Sequence, residues 1–316
     1  SINVESQELF VTASMGCSIY PDDGSDRDTL MKNADTAMYR AKHKGRNGFQ
    51  LYSAEMNAKS MQRLSMENRL RVALLNNEFY IHYQPKLSVA DDRIIGVEAL
   101  LRWQDSELGA IPPDEFIPLA EDLGLIGDIG AWVMKEACHQ CRSWINLGHG
   151  PLQMSVNVSP QQFKRRHLVE DVRKALQAAE LPAQFLDLEI TESCLIEDPD
   201  AVAEVLNELR HQGLSISMDD FGTGYSSLSL LKRIPLDHLK IDRSFMEGIP
   251  DSSNDRELVS TIVLMAHNLG LKVVSEGVEN SDQLNYLRKL GCDQVQGYYF
   301  SRPLSSEGLT ELLGSS

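Results

Sequence analysis

The sequence is sparing in the features that would mark a secreted, membrane-spanning or nucleic-acid-coating chain. Its 316 residues hold five cysteines, Cys17, Cys138, Cys141, Cys194 and Cys292. That odd, low number argues against a disulfide framework and fits a reducing cytoplasm. Cys138 and Cys141 form a CxxC within EACHQCRSW, but no second pair follows at zinc spacing, so buried apolar thiols are expected. No apolar run approaches the roughly 20 residues of a membrane span, and no stretch has the order of a signal peptide. Basic residues are scarce as well: 30 Lys and Arg against 46 Asp and Glu give a formal charge of -16. Such a charge repels long nucleic acids but leaves open a small anion held through metal ions. The one basic cluster, Arg40, Lys42, Lys44 and Arg46, reads as a solvated helix end.

What remains is an ordinary globular composition, 42% hydrophobic and 24% charged, in a length that can bury one large core or one large and one small. Residues 1–52 read as strand, turn, helix and strand. Leu30, Ala34, Ala37, Met38 and Ala41 share one helical face, and Gly45 is expected to stop that helix. This piece is too small to enclose a core and is expected to be part of a domain that starts upstream. A mostly polar helix follows over 54–77. From about residue 79 eight strand-like runs appear: FYIHYQP, IIGVEALLRW, LQMSVNVS, FLDLEIT, LSISMDD, DHLKID, LKVVSEGV and DQVQGYYF. Helix-like segments over 115–147, 161–179, 199–212 and 255–269 fill most of the intervals. The pattern predicts an α/β fold, a (β/α)8 barrel, with a doubly wound open sheet as the alternative. The link KLSVADDR is too short for a crossover helix, so the first two runs should form a hairpin and one barrel strand should run antiparallel.

The polar residues fall late in these runs, where a barrel carries its chemistry. They are Glu98, Asn157, Glu189, Asp219 with Asp220, Lys240, Glu276 and Gln296. Each alone has an ordinary explanation: a solvent-facing glutamate, a snorkelling lysine, a turn-capping asparagine. Together they mark all but the first of the eight runs. Two carboxylates about 4 Å apart repel by roughly 4 kcal/mol at an effective dielectric near 20, and five acids at one mouth multiply that. Protonation could relieve it, but hard divalent cations do so more economically. Oxygen ligands without clustered His or Cys select Mg²⁺ or Mn²⁺. The stretch LSISMDDFGTGYSSL, which ends an alternating strand at Asp219 and Asp220, then reads as a seat for two ions, a geometry suited to in-line displacement at phosphorus. DFG has no kinase partner motifs here, and GTGYSS lacks the lysine of a phosphate-binding loop.

The motifs VEALLRW, NVS, EITES, DDFGTGYSSL, LKIDRSF, EGVE and QGYYFSRP, in this order, resemble the EAL-domain phosphodiesterases of bacterial cyclic di-GMP signalling. The resemblance covers about 64–314, after a linker region over 53–63. It implies a modified TIM-like barrel with one antiparallel strand, and hydrolysis of cyclic di-GMP to linear pGpG. By position it implies Glu98, Asn157, Glu189 and Asp219 as ligands of a first metal, with Asp219 bridging and Asp220 and Glu276 completing a second site. Glu98 and Glu276 thereby belong to the catalytic set. Lys240 would orient or activate water, as general base or nucleophile orienter, and Glu192 would steady the loop after Asp220. Arg102 would contact substrate phosphate, and Gln84 and Gln296 would line the pocket. Residues 1–52, through TASMGCSIYPDDG and NADTAMYRAKHKGRNGFQLY, resemble the C-terminal part of a GGDEF (diguanylate cyclase) domain without its signature loop, a partial α+β segment.

Two functional readings follow: a phosphodiesterase dependent on two Mg²⁺ or Mn²⁺ ions, or a catalytically weak cyclic di-GMP receptor that relays occupancy to an N-terminal region. The resemblance also implies a homodimer coupled through FGTGYSSLSLLKRIP. A cytoplasmic location is expected, with any membrane anchor lying upstream of these residues.

Overall fold

In LDLEIT, Leu186, Leu188 and Ile190 are fully buried, and Asp187 and Glu189 between them are 1% exposed. Because successive strand side chains point to opposite faces, a strand buried on both must lie between two layers. One layer is helical and apolar; the other is the inside of a barrel. The computed structural model describes residues 2–4, 7–9, 12–43, 47–164, 167–196, 198–222 and 228–315. Lys44, Gly45, Arg46 and residues 223–227 therefore lie outside the described residues, and with them the expected helix stop and five of the fifteen residues of FGTGYSSLSLLKRIP.

The chain divides into two compact units, Ser1–Val72 and Ala73–Ser316. In the first, the strand Met15–Cys17 pairs in parallel with Phe49–Leu51, and the helix Arg27–His43 buries Ala37 and Ala41, on the face expected from the sequence. A long helix, Ala54–Ala73, reaches the boundary.

The second unit holds the barrel. Its strands, in chain order, are β1 (Phe79–Ser88), β2 (Ile94–Asp105), β3 (Gln153–Val158), β4 (Leu186–Thr191), β5 (Ser215–Phe221), β6 (His238–Ile241), β7 (Lys272–Ser275) and β8 (Gln294–Val295). Strands β2 to β8 pair successively in parallel, and β1 pairs antiparallel with both β2 and β8. That last pairing closes the sheet, which decides between barrel and open sheet. A short strand, Gly109–Ile111, extends β2 outside the closed ring.

Apolar positions face outward onto helices such as Ile126–Asn146, Leu168–Ala179, Pro199–His211 and Ser253–Asn268. The expected helical segment over 115–147 is two helices, Pro113–Asp122 and Ile126–Asn146, parted at Gly124, whose φ of 69° is left-handed and ends the first. Residues 161–179 divide likewise into Pro160–Lys164 and Leu168–Ala179. Gly291 caps the helix Ser281–Leu290 at φ 76°, turning the chain into β8. Among the described residues no helix is long and apolar enough to cross a membrane.

All five cysteines are free, and Cys138 and Cys141 are wholly buried, as the sequence predicts. Burial pushes the Cys138, Cys141 and Cys292 thiols up to about 12. Iodoacetamide at pH 8 should therefore leave these three unmodified in the native protein and label them once the chain is unfolded. Intact-mass spectrometry reads the count, and rapid native labelling of Cys138 or Cys141 would contradict the packing.

Candidate metal centre

A TIM-like interior is normally filled with branched apolar side chains. Here most of the inward positions toward the C-terminal mouth are polar. Register sets the layers: Gln84 of β1 is opposite Glu98 of β2, Asn157 of β3 is opposite Glu189 of β4, and Lys240 of β6 follows its strand's inward parity. At the C-terminal mouth these side chains converge.

Lys240, 1% exposed, is the hub. Its Nζ donates to Glu189 Oε2 at 2.7 Å and lies 2.9 Å from Asp219 Oδ1, 2.7 Å from Glu276 Oε1 and 3.6 Å from Glu98 Oε2. Snorkelling is thus ruled out; the amine is inside the barrel. Asn157 Nδ2 donates to Glu98 Oε1 at 2.7 Å, and Gln296 Nε2 donates to Glu98 Oε2 at 2.7 Å and to Gln84 Oε1 at 3.0 Å. Gln84 in turn donates to the Ser301 carbonyl at 3.1 Å. Eight residues proposed from the sequence therefore form one connected network.

The adjacent pair Asp219 and Asp220 poses a geometric problem, since neighbours on a strand point to opposite faces. Two departures resolve it. The β5–β6 register shifts between Met218 and Phe221, and Asp220 adopts the left-handed region at φ 52°, which Asp tolerates better than most residues. One carboxylate oxygen each from Asp219, Asp220 and Glu276 then lie within 4.8 Å of one another. Just beyond, Glu192 Oε1 accepts from the Gly222 amide at 3.0 Å and so ties the β4 end to the start of the following loop. A side chain at Gly222 would strike the Phe245 ring at 2.7 Å.

Electrostatics records the crowding. Burial raises the Glu98 carboxyl, and Glu189 adds to it. Burial pushes Glu276 to about 8 against the pull of Lys240, with Asp219 and Glu98 pressing the same way as burial. Asp220 is raised by burial and by Asp219. Burial opposes the charge on Lys240, yet Asp219, Glu189, Glu276 and Glu98 override it and raise its pKa well above the usual lysine range. Glu189 alone among these is lowered, because Lys240 and Lys86 outweigh its burial.

The network opens into a cleft of about 270 Å³ lined by Glu98, Asn157, Asp219, Glu276, Gln84 and Gln296, with Leu100, Arg243, Glu279 and Tyr298 at its rim. Arg102 is not among the lining residues; its Nη1 donates to the Leu101 carbonyl at 2.8 Å. Lys86, Arg243 and Tyr298 escaped the sequence reading. Lys86 carried a usable signal, because it stands two residues from Gln84 and so shares its face.

The residues fit divalent cations. Counting the side chains of the two inner layers together with Asp220, six carboxylates (Glu98, Asp187, Glu189, Asp219, Asp220, Glu276) face two amines, Lys86 and Lys240. With every carboxyl ionised, as bound cations would hold them, four formal negative charges remain, the charge of two divalent ions, and Arg243 and Glu279 at the cleft add none. All the donors are oxygens, as hard cations require.

Residues 67–303 match the family described as EAL domain, and residues 1–48 match the diguanylate cyclase, GGDEF domain. The chain is 45% identical over 306 residues to the bifunctional diguanylate cyclase/cyclic di-GMP phosphodiesterase MucR of Pseudomonas aeruginosa, covering 97% of this chain and 45% of that protein. It is 46% identical over 312 residues to the cyclic di-GMP phosphodiesterase NbdA of the same organism, covering 99% of this chain and 40% of that protein. The chain thus spans less than half the length of these relatives. A solved structure titled PaMucR phosphodiesterase, c-di-GMP complex, superposes with a TM-score of 0.75 at 46% identity, covering 78% of this chain and 99% of that one.

Removing the hub should expose the repulsion. Lys240→Met, unfolded by urea in EDTA, should be about 3–5 kcal/mol less stable than wild type, the range for a buried charge cluster stripped of its partner. An unchanged midpoint would show that the carboxylates do not need the amine.

Proposed function

The chain belongs to the EAL-domain family, and we propose on that premise that its barrel hydrolyses cyclic di-GMP to linear pGpG with two divalent cations, Mg²⁺ or Mn²⁺. The observation that carries this reading is the excess of carboxyl groups over amines at the barrel mouth, five against the single Lys240, beside a cleft open to solvent. The relatives' names support the substrate, and the oxygen-only donors support the metals.

Glu98, Asn157, Glu189 and Asp219 would hold one ion, and Asp219, Asp220 and Glu276 the other. Bound there, such ions supply Lewis acidity, drawing charge off a phosphodiester and making water more acidic. The protein's own part is position. Lys240, with three donors and no acceptor, orients the attacking water against the scissile phosphorus. Gln84 and Gln296 hold Glu98 at one side of the cleft, and Glu192 holds the backbone after Asp220. Arg243, at the rim, stands where it can pair with the second phosphate of a cyclic dinucleotide. Water adds its oxygen to phosphorus as the phosphorus–O3′ bond breaks, and its proton ends on the departing 3′-oxygen. The product carries a free 5′-phosphate.

Incubation with cyclic di-GMP and Mg²⁺, resolved by chromatography, should yield pGpG, and EDTA should abolish it. Glu98→Ala, which removes a proposed ligand and the acceptor of Asn157 and Gln296, should lower turnover at least about 100-fold. Equal rates in the two proteins would refute the assignment. Tight binding of cyclic di-GMP with no product in saturating metal would favour the receptor reading instead.

A further inference from the structure

Beneath the mouth layer, each inward residue has a partner two positions deeper in the barrel, and several of these are polar. They are Lys86, Ser155, Asp187, Ser217, His238 and Gln294, all buried. Because β1 runs antiparallel, its deeper residue lies two positions after Gln84 rather than before it, which places Lys86 in this layer. Lys86 is 4% exposed. Its Nζ donates to Ser155 Oγ at 2.6 Å and to Glu189 Oε1 at a very short distance. Ser155 Oγ passes the chain on to Asp187 Oδ2 at 2.8 Å, and Ser217 Oγ donates to the same carboxylate at 2.8 Å. His238 Nδ1 stands 3.7 Å from Asp187, too far for a hydrogen bond.

The consequence falls on Glu189. Its two oxygens are held by two different amines: Oε1 by Lys86 from the deep side, Oε2 by Lys240 at the mouth. With Oε1 engaged, the carboxylate cannot rotate about its last bond, and Oε2 alone is presented to the site. We propose that Lys86 is a positioning residue, anchored by Ser155, that fixes the Glu189 carboxylate so that one oxygen faces the cation position. This rests on the metal reading above. Ligand carboxylates held by such outer partners typically lose 10- to 100-fold in metal affinity when the partner is removed. A simple charge effect has the opposite sign, because deleting a cation from the pocket strengthens its pull on Mn²⁺. The direction of the change therefore separates positioning from electrostatics.

The experiment titrates Mn²⁺ into substrate-free protein, with calorimetry or the electron paramagnetic signal of free Mn²⁺ as the readout. Wild type, Lys86→Met and Ser155→Ala are compared, with circular dichroism confirming the fold. Lys86→Met should bind Mn²⁺ about 10- to 100-fold more weakly than wild type. Ser155→Ala, which keeps every charge and removes only the anchor, should shift affinity severalfold the same way. Unchanged or tighter binding in Lys86→Met overturns the inference. Should Lys86→Met fail to fold, Ser155→Ala decides alone, and unchanged affinity there overturns it. A wild type that binds no Mn²⁺ overturns the metal reading itself, and this inference falls with it.

Discussion

The structure is organised around one unfavourable fact: carboxylates from separate strands are pressed together where water cannot dissipate their charge. Lys240 touches three of them within 2.9 Å and is the counter-charge that lets the barrel exist without cations. One amine cannot neutralise that many acids, and burial, joined by the neighbouring carboxylates, raises the Glu98, Asp220 and Glu276 carboxyls. A fold selected for stability alone would fill these positions with Val and Leu, since a packed apolar core commonly outperforms a buried ionic one. The retained tension is what creates demand for hard cations, and it sets the chemistry available at the mouth.

The barrel tolerates this because its two faces are specialised. Outward positions such as Leu188, Ile216, Leu239 and Val295 are fully buried against the helical layer and provide the hydrophobic stabilisation. Inward positions are then free to carry charge, held in place by neighbouring strands rather than by loops. Eight strands bring residues as far apart as Gln84 and Gln296 within 3.0 Å, a precision that flexible segments do not offer. Departures from regularity, the left-handed Asp220 and the shifted β5–β6 register, sit where two neighbouring acids must reach one site.

Much of this was legible beforehand. Strand alternation located all eight runs, and the short KLSVADDR link announced the antiparallel β1. Polar residues at the late positions of the runs named the mouth layer. What periodicity could not show was closure, because the pairing of β1 with β8 joins segments roughly 200 residues apart. Nor could it show the break at Gly124, where apolar spacing continues through a residue that only its backbone betrays. Adjacency of Asp219 and Asp220 suggested a shared site, but the backbone turn that makes sharing possible leaves no compositional trace. Lys86 was passed over because it falls in the link KLSVADDR, whereas β1 runs on to Ser88; parity with Gln84, read together with the reversed direction of β1, would have placed it inside.

The most direct test is where cations settle. In crystals soaked with Mn²⁺, anomalous scattering should show two peaks, one among Glu98, Asn157, Glu189 and Asp219 and one among Asp219, Asp220 and Glu276, with the Glu276 carboxylate drawn away from Lys240. No peak at the mouth at saturating Mn²⁺, with Lys240 still closed on its carboxylates, would contradict the account.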